Sequence, residues 1–381
     1  MRAASVSDYR ELARRRLPNI FFEYIDGGSY AEETLGRNVR DLEVIALRQR
    51  VLRDMTSLDM SVETLGQTLA MPVGLAPVGM AGMYGRRGEV QASKAATGAG
   101  LPFCLSTVGV CSVEEVARGS VAPWFQLYML KDRGYMKALL GRAKEAGCPV
   151  LVFTVDLPTP GARYRDVRSG FTGSSGLSGA LNTAWDGIIH PAWMWDVWMG
   201  GRPHTLGNVE GAAPQQGRRV TDFLSWIARN FDRSVTWADL DWVRETWDGP
   251  IVIKGVLDVE DAREVVRVGA QGLVVSNHGG RQLDGVRSSI SALPRIADAV
   301  GGDLEVFMDG GVRSGLDVLK ALSLGAKACF VGRPWAWALG AGGEAAVAKM
   351  LGTLRSELAV AMILTGCASV RTAGRHLLDL D

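Results

Sequence analysis

The chain has 381 residues, and its 42 Lys and Arg side chains nearly balance 41 Asp and Glu. That balance, with no basic face or tail, argues against nucleic acid as a partner, and no apolar run approaches the roughly 20 residues of a membrane span. The five cysteines (Cys104, Cys111, Cys148, Cys329 and Cys367) are odd in number and show no metal-ligand spacing, so they read as reduced, buried thiols and no metal is expected.

At the N-terminus, Arg14-Arg15-Arg16 is not followed by an apolar stretch, so no secretory signal is expected and the protein reads as intracellular. The opening segment, to about residue 70, reads as helical, with Asp8 as the cap and Glu11 at the third helical position. A short apolar stretch after Pro18 ends in the turn signal Tyr24-Ile25-Asp26-Gly27-Gly28.

Eight short apolar runs follow, at 71–77, 103–107, 124–128, 150–156, 251–255, 272–276, 305–308 and 328–332. Apolar along their length and rich in branched or aromatic residues, they predict strands covered on both faces. Helical stretches over 88–99, 135–146, 259–268 and 316–324 separate several of them. Such alternation predicts parallel strands, and eight repeats predict one (β/α)8 TIM barrel domain over residues 1–381. An open doubly wound sheet is the competitor, but Ala76-Pro77-Val78-Gly79-Met80-Ala81-Gly82 lacks the G-x-G-x-x-G spacing.

One connection is too long for a single helix. The insertion over about 157–249 begins glycine- and serine-rich, then crowds Trp185, Trp193, Trp195 and Trp198 into a short stretch.

In such a barrel, residues just past the strand ends converge on one mouth. Those positions hold the backbone of Ala76, Pro77, Val78 and Gly79; Ser106; Gln126 and Tyr128; Thr154 and Asp156, with Arg163 shortly after; Lys254; His278 and Arg281; Asp309, Gly310, Gly311 and Arg313; and Gly332 with Arg333. The last two groups suit a phosphate, held by glycine amides and two guanidinium forks, although each alone reads equally as a tight turn. Arg163 and Arg281 suit bidentate capture of a carboxylate; a surface salt bridge is the ordinary fate of either. His278 can serve as a base oriented by Asp156, against a structural histidine and a helix cap before Pro158. Lys254, at the end of an apolar strand, needs a partner: an anionic ring, or Asp258.

The run Ser276-Asn277-His278-Gly279-Gly280-Arg281-Gln282-Leu283-Asp284, with Asp309 to Gly315 and Gly332-Arg333, resembles the FMN-dependent α-hydroxy-acid dehydrogenase and oxidase family. Tyr24-Ile25-Asp26-Gly27-Gly28, Ala76-Pro77-Val78-Gly79, Trp124-Phe125-Gln126-Leu127-Tyr128, Thr154-Val155-Asp156, Gly161-Ala162-Arg163-Tyr164-Arg165-Asp166 and His190-Pro191 look like its membrane-associated L-lactate dehydrogenase branch. The resemblance implies FMN as cofactor, His278 as base paired with Asp156, and Arg163 and Arg281 on the substrate carboxylate. It places Tyr24 and Tyr128 on the substrate, Ser106, Gln126, Thr154, Lys254 and Ser276 around the flavin, and Ala76 to Gly79 near its N5. It assigns Asp309, Gly310, Gly311, Arg313, Gly332 and Arg333 to the phosphate. A homotetramer is expected from the relatives.

Val108 lines the substrate side-chain pocket in relatives, and a residue of this size favours lactate over mandelate. The tryptophan-rich segment, within about 170–220, suits a bilayer interface or else packs as a lid or an oligomer contact. The resemblance, through relatives that use quinone and whose corresponding insertion contacts the membrane, implies peripheral contact with the cytoplasmic side of the inner membrane and a quinone as electron acceptor. Asp186 and Asp196 in that segment argue against deep insertion. A soluble oxidase passing electrons to oxygen is the rival enzyme, disfavoured by Gly79 where oxidases often carry alanine. A flavin-free phosphate-binding barrel is the rival from another class.

Overall fold

The computed structural model describes residues 2–171, 186–210 and 229–379. Eight parallel strands form the predicted barrel: β1 Val73–Leu75, β2 Cys104–Ser106, β3 Trp124–Leu127, β4 Leu151–Thr154, β5 Ile251–Val256, β6 Gly272–Val275, β7 Glu305–Asp309 and β8 Ala328–Val331. From β2 to β8 each pairs with the next in chain order, β8 pairs with β1, and a parallel bridge from Leu75 to Phe103 closes the ring. Every predicted run carries one strand.

Strand side chains alternate with a period of two, and this alternation builds the site. Trp124, Val152, Val252, Val274 and Phe307 pack together inside the barrel. Two residues further along the same strands stand Gln126, Thr154, Lys254, Ser276 and Asp309. Another two along three of them come Tyr128, Asp156 and His278. The inward rows therefore pass from an apolar floor to polar groups at the C-terminal mouth.

The opposite end is stoppered by an antiparallel hairpin, Val62–Thr64 with Gln67–Leu69. Its Leu65 packs on the inner apolar cluster, the Thr64 hydroxyl donates to Glu305 at the start of β7, and Gln67 accepts from the Trp124 indole at 3.3 Å. The first helix, Val6–Arg16, starts earlier than expected. Ser5 is its N-cap, and Asp8 at the third helical position accepts from the Ser5 N–H at 2.9 Å. The reciprocal capping box outcompetes Asp8 as the cap itself. This helix packs on the last one, Arg333–Thr365, which is broken at Gly342 and Gly343.

The insertion contributes short helices, Tyr164–Arg168, Pro191–Trp193 and Asp239–Thr246, and a π-helical turn, Met194–Met199. Much of the glycine- and serine-rich stretch, Trp185, and residues 211–228 lie outside the described residues. Asp196 pairs with Arg16 at 2.8 Å, and Asp186 accepts from the Ile20 N–H at 3.3 Å. Both acids thus have partners on the N-terminal helices. Ile188, Ile189, Trp195, Trp198 and Met199 are left exposed, Trp195 by 72%. Among the described residues no helix is long and apolar enough to cross a membrane. All five cysteines are buried and unpaired.

Candidate active site

His278 stands where β6 has just ended, and its Nδ1 lies 2.9 Å from Asp156 Oδ1 at the end of β4. A carboxylate only accepts, so Nδ1 carries the proton and the Nε2 lone pair is left for the cavity. Burial holds the imidazole below its ordinary value, although Asp156 pulls the other way. Burial pushes Asp156 up, but His278 and Lys254 outweigh it and keep the carboxyl below the usual range. The resting pair is a neutral base oriented by an anion. Asp156 is therefore no helix cap.

The backbone delivering His278 is unusual. His278, Gly279 and Gly280 have φ of 58°, 64° and 73°, three left-handed residues in a row. For a histidine this region is sparsely populated and persists only when its surroundings enforce it. Asn277 does so: it exchanges two 2.8 Å hydrogen bonds with Asn38 and accepts from the Gly280 N–H at 3.0 Å. The His278 N–H is tied to Ser276 Oγ at 3.0 Å. Asn38, on the helix Glu33–Glu43, was not legible as a site residue, because its role depends on a partner 239 positions away.

Lys254 finds its partner across the barrel rather than in Asp258. Its Nζ lies 2.8 Å from Asp309 Oδ2 and 2.8 Å from Ser276 Oγ. Asp258 instead caps the helix Val259–Arg267 through the Glu260 N–H. Burial draws the ammonium's pKa down, but Asp309 and Asp156 more than offset it, so Lys254 stays charged. The Asp309 side chain is thus spent on Lys254 and Ser276.

At the rim, Tyr24 lies against both expected carboxylate ligands, with the Arg281 guanidinium 4.8 Å and that of Arg163 5.8 Å from its ring centre. Arg281 Nη1 donates to the carbonyls of Tyr24 and Gly27 at 2.6 and 2.8 Å, which fixes the guanidinium's orientation. Arg163 is no surface salt-bridge residue: its side chain is 13% exposed and Asp166 is 3.8 Å away. Burial and then Arg281 lower its pKa. Two adjacent cations with little compensation suit a carboxylate between them. The Tyr128 hydroxyl is pushed well up by burial and Asp156, so it remains a donor.

Inside the mouth, Gln126 Nε2 and Thr154 Oγ1 are buried without a hydrogen-bond partner, although Gln126 Oε1 accepts from Ser106 Oγ at 3.1 Å. Orphaned buried donors are costly, so these point to a polar ring edge that completes them. Lys254 and Ser276 border the same space. These groups fit a flavin's pyrimidine edge.

The phosphate end fits through charge rather than through open forks. Arg313 and Arg333 have no ion-pair partner among the described residues, and burial lowers both, Arg313 to about 10. Arg333 is depressed further by Arg281 and Arg313. Such half-buried cations without a direct ion-pair partner suit a phosphate dianion. Of the two forks expected from sequence, that of Arg333 is already occupied by backbone carbonyls. Arg333 donates to the carbonyls of Asp26, Gly27 and Gly279, and Arg313 lies over Trp337 with Nη1 on its own Val312 carbonyl. Gly310 and Gly311 pass hard against Asn38, where a Cβ on Gly311 would meet its carbonyl oxygen at 2.1 Å. Gly332 is the N-cap of the helix Arg333–Thr365, an N-terminus suited to an anion.

Of the β1 loop, Ala76 is buried and Pro77, Val78 and Gly79 are half-buried at the mouth. A Cβ on Gly79 would lie 2.7 Å from Val108 Cγ2 and 3.7 Å from the Tyr24 hydroxyl. Gly79 and Val108 therefore face each other beside the arginine-bearing rim.

These features define a flavin-binding barrel built for hydroxy-acid chemistry. The FMN-dependent dehydrogenase family model matches residues 13–380, and the chain belongs to that family. It is 58% identical over 365 residues to an L-lactate dehydrogenase of Haemophilus influenzae (strain PittEE), covering 95% of this chain and 94% of that one. It is likewise 58% identical over 368 residues to an L-lactate dehydrogenase of Xanthomonas campestris pv. campestris (strain 8004), covering 96% and 94%. Among solved structures, monotopic membrane protein (S)-mandelate dehydrogenase superposes with a TM-score of 0.93 at 31% identity, over 100% of both chains. Mandelate oxidase with (S)-4-hydroxymandelic acid superposes at 0.85 and 40% identity, over 99% of this chain and 98% of that one. FMN is the cofactor, and the flavin-free barrel is excluded.

Proposed function

We propose that the protein oxidises L-lactate to pyruvate and passes the electrons to a quinone while resting on the cytoplasmic face of the inner membrane. The observation that carries the chemistry is the His278–Asp156 pair, set beside Arg163, Arg281 and Tyr24 in one mouth. Lactate is favoured by the 58% identity to L-lactate dehydrogenases and by Val108 facing Gly79.

Arg163 and Arg281 bind the substrate carboxylate, and Tyr24 and Tyr128 donate to its oxygens. His278 Nε2 takes the proton, whether from the α-carbon or the hydroxyl, and Asp156 stabilises the resulting imidazolium. FMN, when bound, accepts the two electrons. Lys254, fixed by Asp309, supplies a positive field at the base of the mouth where negative charge develops.

Membrane contact is supported by the outward apolar face of Ile188, Ile189, Trp195, Trp198 and Met199. Tryptophan at such an edge suits a bilayer interface, and a quinone is a lipid-soluble acceptor reached there. The relative (S)-mandelate dehydrogenase is a monotopic membrane protein.

Anaerobic mixing with L-lactate should bleach the flavin's visible absorbance, and a quinone analogue should restore it faster than oxygen does. Failure of L-lactate to bleach it, or a clear preference for mandelate, would refute the assignment.

A further inference from the structure

We infer that Tyr84 and Glu89 are positioning residues: they clamp the Gly79–Met80 peptide and the Val108–Val110 loop together and so set the width of the substrate side-chain pocket. The inference rests on the proposed hydroxy-acid reaction and names what tunes its selectivity.

The gap between Gly79 and Val108 borders the Tyr24 hydroxyl, at the end of the site where the substrate carboxylate is held. The peptide after Gly79 is gripped at both ends. The Gly79 carbonyl accepts from the Tyr84 hydroxyl at 2.9 Å, and the Met80 N–H donates to the Val108 carbonyl at 2.9 Å. Met80 has φ of 57°, a left-handed conformation in a fully buried non-glycine residue. Surroundings must over-determine such a turn for it to persist. The two hydrogen bonds do this.

The opposite wall is held from the same stretch of chain. Glu89 Oε1 accepts from the Val110 N–H at 2.7 Å, and the Gly109 N–H is fixed on the Ser106 carbonyl at 3.0 Å. Tyr84 ends the short 3-10 helix Ala81–Met83, and Glu89 lies in the first turn of Gly88–Gly98. Both side chains are fully buried. Burial pushes the Tyr84 hydroxyl's pKa well up, so it stays a donor. One stretch, 84–89, therefore fixes both walls of the gap. A polar side chain whose only role is to fill space needs no such aim at backbone groups facing a site.

The test compares L-lactate with mandelate as kcat/KM ratios in the FMN-loaded enzyme. The same preference is read at equilibrium from the dissociation constants of pyruvate and benzoylformate, followed by flavin absorbance. Tyr84→Phe should lower the lactate preference about five- to tenfold, the scale of one buried hydrogen bond. FMN affinity of the stripped protein should hold within about twofold, because no flavin contact is removed. Combined with Val108→Ala, which opens the same gap, the two effects should be non-additive. Glu89→Ala tests the other wall if the Phe variant does not accumulate: it should relax selectivity similarly, and Glu89→Gln, which keeps the acceptor, should restore it. An unchanged ratio in Tyr84→Phe or Glu89→Ala, or a Gln variant as relaxed as the Ala variant, overturns the clamp. A wild-type enzyme whose flavin no 2-hydroxy acid bleaches overturns the underlying reaction, and the clamp falls with it.

Discussion

Asp309 lies 2.8 Å from Lys254, two strands away, and Ser276 on the strand between joins them, donating to Asp309 at 2.5 Å and accepting from Lys254 at 2.8 Å. The same serine hydroxyl accepts from the His278 N–H. Charge in the polar layer above the apolar floor is thus coupled to the backbone of the base.

Lys254→Met leaves Asp309 buried without its cation. Breaking one side of such a pair costs about 3–5 kcal/mol, so denaturant unfolding should show that loss together with weakened FMN retention. Unchanged stability would mean that Asp309 recruits another partner.

The pH dependence follows from His278. Burial keeps its folded-state value below that of an unfolded histidine, near 6.5. The unfolded chain binds that proton first, so stability falls as pH drops below about 6.5, until the folded imidazole also protonates. Turnover should show an acid limb below that same value. Asp156→Asn removes the group that raises the imidazole's basicity, so the limb should move to lower pH while kcat falls by about 10²–10⁴. A limb displaced upward would contradict the pairing.

Gly255 interrupts β5 at φ of 109°, where its pairing register with β6 shifts. A Cβ there would lie 2.6 Å from Asp156 Cβ and Cγ. Gly255→Ala should therefore push Asp156 off His278 and lower kcat at least about tenfold, through misplacement of a catalytic group. FMN content should be retained. A crystal structure of the variant with the 2.9 Å contact intact would refute this account.

Trp195→Glu with Trp198→Glu places charge on the exposed apolar face. Sedimentation with anionic vesicles should show binding lost in the double variant, while lactate oxidation with a soluble acceptor persists. Equal binding by both forms would remove the membrane reading.

The barrel was legible because its strands are buried on both faces, which leaves continuous apolar runs that turn residues bracket. The hairpin over 62–69 was not legible because its strands are only three residues each, with one apolar residue apiece. His278, Asp156, Arg163 and Arg281 were legible from their positions just past strand ends. What their neighbours do was not. The Lys254–Asp309 partnership spans 55 positions, and Asp258, four residues from Lys254, was the nearer decoy. Arg333 read as an open fork because nothing in the sequence reveals that three backbone carbonyls already occupy it. Tyr84 and Glu89 carried no signal, being an aromatic and an acid in an ordinary helix entry.

The hairpin stopper has a kinetic consequence. With Leu65 packed under the apolar floor, the described residues close that end of the cylinder, and donor and acceptor are expected to share the mouth at the other. Double-reciprocal plots at several quinone concentrations should then run parallel, as in a turnstile that admits one visitor only after another has gone.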